Sequence, residues 1–259
     1  LLATQIEKNL LLPKKLNMKI LGIGNAIVDV ICKVEDNFIV QNNLTKSTMK
    51  LFFDENEFKN LLTNLKIENT VSGGSVANSI VGLSQLGDKV GFIGKVSDDD
   101  FGHKYEEGLK KENVEYFYTK KKEKLPTGTC LILVTPDSER TMCTFLGTAG
   151  KINENDVDSN VVKKSEIIFL EGYLWDEGEP KKAFDKAINN ANKVAMSLSD
   201  QFCVERHKPH FLNLVKDKLG ITFANEQEIT SLIEAKNFNE VIDFSKQLNK
   251  LIVVTRGEK

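Results

Sequence analysis

VSGGSVANSIVGLSQLGDKVGFIGKV, residues 71–96, carries the alternation that decides the fold. Val76, Ile80, Leu83 and Leu86 recur at helical spacing and lay an apolar stripe along one face. Gly87 closes that pattern, as glycine commonly does after a last helical turn. The run KVGFIGKV follows at once and reads as a buried strand. The same rhythm continues in both directions along the chain. Strands read as KILGIGN, EIIFLEGY, KVAMSLSD, LGITFAN and KLIVVT, and helical patterns as residues 55–65, 101–112, 181–192 and 238–248. Strands alternating with amphipathic stretches of this length predict βαβ units, hence an α/β domain on a mainly parallel sheet.

Two stretches break the rhythm, residues 31–53 and 114–147. In the second, TGTCLILVTPDSERTMCTFLG reads as a hairpin whose turn opens at Pro136 and Asp137. Extra β segments inserted in an α/β domain suit a cover over a site. At 259 residues the chain is long enough for one domain with a large core. Apolar residues make up 41% and charged residues 28%, a balance that argues against long disorder. No apolar run reaches the ~18 residues of a spanning helix, so no membrane partner is expected. The net charge of -2 leaves no basic field for nucleic acid. Cys32, Cys130, Cys143 and Cys203 lie far apart without a C-x-x-C pair, which suits reduced thiols and a cytoplasmic enzyme. Cys203 and His207 sit four apart, with Pro209 interrupting the helix before His210, but the spacing matches no standard zinc pattern.

The ends also invite a reading. Leu1 opens the chain, and Met18 reads as the native start, with residues 1–17 as a leader. VVTRGEK stops as a strand enters a turn, so the expectation is a fragment whose compact fold needs further covering elements.

Four constellations bear on chemistry. Gly73 and Gly74 precede the helix of residues 75–86, so its free N–H groups and partial positive charge face a backbone that a ligand can approach closely. Asn78 adds an amide there; the alternative is a plain turn with Ser75 as N-cap. In GIGNAIVDV an unbroken strand would put Asn25, Ile27 and Asp29 on one face. An acid in such a run is costly without a donor, and vicinal hydroxyls would supply two; an Asp capping a strand bend is the other reading. The third glycine of a dinucleotide fingerprint is replaced by Ile27. Asn225 and Glu228 end a strand as Asn-x-x-Glu, either a capping pair or a carboxylate ordering water around Mg²⁺ beside phosphates. Thr255, Arg256 and Gly257 form a last glycine turn, a triphosphate contact or simply a turn. Asp98, Asp99 and Asp100 read as helix-start acids, and Arg140 as a phosphate partner or a hairpin surface residue.

In this order, from Met18 to Lys259, GIGNAIVDV, GGSVAN, NEQE and TRGEK resemble the motifs of the ribokinase-like (PfkB) kinases. CLILVTPDSERTMCTFLG, LEGYLWD, SLSDQFCVERH and FANEQEI resemble the branch of bacterial adenosine kinases. The resemblance implies a doubly wound α/β sandwich over residues 18–259 with a small β lid from the two irregular segments. It implies an acceptor pocket of Asn25, Asp29, Gly73, Gly74, Asn78 and Arg140, with Asp29 on ribose hydroxyls. It implies ATP on Asn225, Glu228, Thr255, Arg256 and Gly257, with Mg²⁺ held through water by Glu228. The family's catalytic Asp belongs to a G-A-G-D motif after the TRGEK turn, so the base is expected beyond Lys259 and this stretch alone is expected to be nearly inactive. The implied reaction moves the ATP γ-phosphoryl to a hydroxymethyl group of a small molecule: adenosine first, inosine or guanosine second, a free sugar third. A noncatalytic nucleoside or sugar binder is the rival reading, and a nucleotide-using oxidoreductase a distant third. Monomer and homodimer are both open.

Overall fold

The computed structural model describes residues 18–175 and 179–258; the stretch 1–17, read as a leader, lies outside them. In chain order the first elements are β1 Met18–Ile23, β2 Ile27–Lys33, α1 Asp36–Gln41, β3 Met49–Phe52, α2 Glu55–Thr63 and β4 Ile67–Gly73. Next come α3 Ser75–Gln85, β5 Val90–Ile93, α4 Asp100–Lys111, β6 Glu115–Tyr116, β7 Gly128–Val134 and β8 Arg140–Phe145. The last part holds α5 Ser159–Lys164, β9 Ser165–Glu171, α6 Glu179–Asn190, β10 Val194–Ser197 and α7 Gln201–Asn213. It ends with β11 Ile221–Asn225, α8 Glu226–Ile233, α9 Phe238–Leu248 and β12 Leu251–Thr255.

All six sequence-predicted strands enter one sheet of order β12-β11-β10-β9-β1-β5-β6, with every pair parallel. From β1 the chain builds in both directions, which is the doubly wound arrangement. Residues of α6 to α9 pack in one cluster against β9 and β10, as right-handed crossovers between these parallel strands would place them. There Phe184, Phe211, Met196, Leu170 and Ile229 are fully buried in one cluster, each contributing about 2 kcal/mol of apolar transfer. α3 and α4 cover the opposite face around β1 and β5, where Phe92, Tyr105, Ile80 and Leu109 are buried. On that face β9, β10 and β11 border a groove of about 580 Å³ with α3, lined by Phe169, Phe223, Leu83, Ser75 and Ser197 among others. No helix among the described residues is long and apolar enough to cross a membrane.

A second, smaller sheet has the order β3-β8-β7-β2-β4. Its core is the expected hairpin: β7 and β8 pair antiparallel, and Thr135 Oγ1 donates to Asp137 Oδ1 at 2.7 Å inside the turn. Two features differ from the sequence reading. GIGNAIVDV is not one strand: it leaves the main sheet after Ile23 and re-forms at Ile27 as β2, so Asn25 lies in the junction and does not share a strand face with Asp29. Beyond segments 31–53 and 114–147, the small sheet also recruits β4, whose polar sequence IENTVSG gives no alternating signal but pairs antiparallel along β2. Within α7 the helix is broken by a kink at His207, two residues before Pro209, as the interruption expected there requires: proline lacks an N–H and its ring crowds the preceding turn.

Lys95, just past β5, is buried with its Nζ 3.2 Å from Asp156 Oδ2 and 3.4 Å from Glu123 Oε1. It ties the main sheet to the segment that enters β7. Asp99 caps α4, accepting from Gly102 N–H at 2.8 Å, and also accepts from Thr127 N–H at 2.8 Å. The helix-start reading of these acids therefore holds, with an added tie to the small sheet.

Candidate active site

The carboxyl ends of β1, β9, β10, β11 and β12 share one edge of the main sheet, the edge where open α/β sheets take ligands. Register sets the neighbours there: Ile23 beside Leu170, Glu171 beside Ser197, Asn225 beside Thr255. Glu171 is two strand spacings, roughly 10 Å, from Phe223, and Asn225 lies two residues further along β11, roughly 12 Å from Glu171. The chain crosses to the small sheet from the same edge, at residues 24–26 after β1, and returns through Gly73 and Gly74.

On the β1 side the packing is close. Gly74 has φ +105°, and a Cβ on it would collide with the Asn25 carbonyl; a Cβ on Gly73 would collide with the Asp29 carboxylate. These two positions demand glycine, and they bring Asn25, Asp29 and the start of α3 together. The N-cap of α3 is Gly74 and not Ser75, and no side chain caps the helix. Its amino end is met instead by Glu171, which accepts from the Asn25 backbone N–H at 2.6 Å. Glu171 is buried, and burial pushes its carboxyl up to about 7 while the N–H groups of Asn25 and Ser75 pull the other way. Asn25 is 2% exposed, and its Oδ1 has no hydrogen-bond partner among the described residues. Asp29, half-buried on β2, is pushed up to about 6 by burial alone. Glu171 was not legible as a site residue, although an acid closing the apolar run IIFLE at a parallel strand's carboxyl end was the available signal.

On the β11 side the groups satisfy one another. Asn225 N–H donates to Glu228 Oε2 at 3.0 Å, Asn225 Nδ2 to Glu228 Oε1 at 2.7 Å, and Glu228 N–H to Asn225 Oδ1 at 2.8 Å. This is a complete capping box at the start of α8. Burial raises the Glu228 carboxyl, and nearby Asp200 adds to the rise. Thr255 lies beside Asn225, and Gly257 takes the left-handed conformation of the following turn with φ +62°. Arg256 has its guanidinium committed to a neighbouring carboxylate, Glu226.

Two residues of the sequence reading stand apart. Asn78 is exposed in the first turn of α3, its backbone N–H donating to the Gly74 carbonyl at 2.9 Å. Arg140 is exposed at the start of β8, opposite Val134. Asp29 shares its cross-strand row with Cys130 and Thr144, so Arg140 sits four residues, roughly 13 Å, along the strand from that row. The hairpin carries it to the far end of the small sheet in this arrangement.

The model for pfkB family carbohydrate kinases matches residues 20–259. This chain belongs to that family. Its ribokinase-like fold superposes on the crystal structure of adenosine kinase from Sinorhizobium meliloti with a TM-score of 0.82 and 35% identity, covering 93% of this chain and 75% of that one. Among curated pfkB relatives, the 5-dehydro-2-deoxygluconokinase of Mesomycoplasma hyopneumoniae (strain 232) is 27% identical over 172 residues, 64% of this chain and 49% of the relative. The guanosine-inosine kinase of Escherichia coli (strain K12) is 24% identical over 229 residues, 82% of this chain and 52% of the relative. The chain thus spans about half the length of these curated relatives.

Among the described residues no cluster of three or more His, Cys, Asp or Glu forms a metal cage. Mg²⁺ needs none: it keeps several waters and takes one or two carboxylates beside phosphates. Glu228, with a second lone pair free on each oxygen that Asn225 engages, fits that role through water.

Proposed function

We propose that this chain carries the acceptor and nucleotide sides of an ATP-dependent kinase that phosphorylates the hydroxymethyl group of a ribonucleoside, with adenosine as the preferred acceptor. One observation carries the reading. Asp29 holds a half-buried carboxylate on β2, packed on Gly73, and burial pushes it up to about 6. A partly desolvated carboxylate gains from hydrogen-bond donors, and a ligand offering two adjacent hydroxyls supplies two of them. The 35% identity to the Sinorhizobium adenosine kinase favours a nucleoside as the ligand.

In this reading Asp29 grips the vicinal hydroxyls and sets the sugar's orientation. Gly73 and Gly74 let Asp29 and the Asn25 backbone pack closely at the start of α3, which sets where the sugar would sit. Asn225, Glu228, Thr255 and the Gly257 backbone line the nucleotide side, with Glu228 holding Mg²⁺ through water. When bound, ATP supplies the phosphoryl group, and Mg²⁺ neutralises charge on its phosphates. Positioning and charge compensation provide most of the rate in such transfers.

The test is a screen of the full-length protein with ATP, Mg²⁺ and adenosine, inosine, guanosine, ribose or the acceptor of the mycoplasma relative, reading ADP and phosphorylated product. AMP from adenosine at the highest kcat/KM is expected. Turnover with sugars alone would remove the nucleoside assignment, and binding without turnover would leave a noncatalytic binder.

A further inference from the structure

Arg256 sits between Thr255 and the Gly257 turn, a position from which a cation can reach a polyphosphate. Its guanidinium is already engaged on two sides. Nε lies 3.0 Å from Glu226 Oε2 and Nη2 lies 3.1 Å from Glu226 Oε1, a two-pronged fork on one carboxylate. The Cζ atom stands 3.8 Å from the centre of the Phe238 ring, so the cation also stacks on an aromatic face. Each partner begins an element. Glu226 is the first residue of α8, directly after Asn225, and Phe238 is the first residue of α9. Thr255 closes β12 in register with Asn225. One planar side chain therefore joins the ends of a strand and two helices where the capping box and the glycine turn meet. A planar fork fixes both distance and angle, which a lysine ammonium does not.

We infer that Arg256 is a positioning residue: it holds the turn of residues 255–257 against the Asn225–Glu228 box and is not itself a ligand of the phosphates. The inference rests on the reading of this end of the candidate site as the nucleotide side. The two roles make opposite demands on Glu226. If Arg256 binds phosphate, releasing it from Glu226 leaves ATP binding intact or improves it. If Arg256 positions the turn, loss of either partner damages ATP binding equally, and exchanging the charges restores it.

The experiment is steady-state kinetics of the full-length protein with ATP and adenosine for wild type, Glu226→Gln, Arg256→Lys, Arg256→Glu and the exchange R256E/E226R, with thermal melts alongside. Glu226→Gln and Arg256→Glu are each expected to raise KM for ATP on the order of tenfold, a mid-range coupling for one ion-pair network. KM for adenosine should stay within about twofold, the exchange should recover most of the loss, and Arg256→Lys should recover little. Unchanged KM for ATP in Glu226→Gln, with a rise in Arg256→Lys, overturns the inference in favour of direct phosphate contact. Equal losses in the exchange and the single variants, or no change in any of them, also overturn it. A wild-type protein that consumes no ATP with any acceptor overturns the kinase reading itself, and the inference with it.

Discussion

The two ends of the candidate site are built on opposite principles. Around β1 and β9 the match is incomplete: Glu171 accepts from Asn25 N–H yet burial still pushes it up to about 7, Asp29 is pushed up to about 6, and the Asn25 amide oxygen is buried without a partner among the described residues. Around β11 and β12 each group answers another, Asn225 with Glu228 and Arg256 with Glu226. Native proteins seldom leave buried polar groups unpaired, so the first end reads as a surface completed by a ligand. The second is a framework that stands without one. The Asn-x-x-Glu motif is therefore doubly determined: it would persist for its capping role even if it touched no phosphate.

Substitutions sharpen that contrast, beginning with the most damaging. Gly74→Ala forces a side chain into the left-handed region and against the Asn25 carbonyl. A loss of about 4 kcal/mol in denaturant unfolding is expected, combining backbone strain with overpacking. A loss under about 1 kcal/mol would mean that the β1 end is loose. Glu171→Gln acts through pH. The folded-state pKa of Glu171 is raised to about 7 from 4.5, so the ionisation penalty is absent below about 4.5, grows between these values and is complete above about 7. The variant should therefore gain up to roughly 3 kcal/mol over wild type at pH 8 and nothing near pH 4. A pH-independent difference would sink the desolvation account.

Asp29→Ala should lower kcat/KM for the acceptor about 100-fold, the worth of two hydroxyl bonds to a charged group, with KM for ATP unchanged. In wild type the acceptor KM should rise as pH falls through about 6, because protonation of Asp29 removes the acceptor that the hydroxyls need. A flat profile from pH 5 to 8 would detach Asp29 from the acceptor. Smallest of all, Asn225→Ala removes a helix cap and should cost about 1 to 2 kcal/mol in stability. If it abolished ATP turnover while stability held, the β11 end would be more than a framework.

How much of this was legible in sequence follows from how local each signal is. Six of the seven main-sheet strands announce themselves as apolar runs, and the helices of residues 75–85 and 238–248 through their apolar stripes. The glycine pair and the capping box are short-range devices, readable within four residues. The break after Ile23 has no proline or Asn-Gly signal, so β1 and β2 looked continuous. β4 is an edge strand with most of its side chains exposed, and its pattern resembles a loop. The forks of Glu171 on Asn25 and of Arg256 on Glu226 join residues far apart in sequence, which no local rule detects.

The small sheet also dictates a schedule. β2 is synthesised early but pairs in parallel with β7, Ile27 meeting Gly128, while β1 waits for β9, Met18 meeting Ser165. Only the β7–β8 hairpin closes between close neighbours in the chain. On the ribosome β2 can pair with β4 and β1 with β5 once residue 93 has emerged, but each keeps one edge open until β7 and β9 follow, since loop closure of those longer spans precedes any reward from pairing. The early apolar stretch from Ile20 to Val30 is thus the segment that a nascent-chain chaperone has most reason to shield.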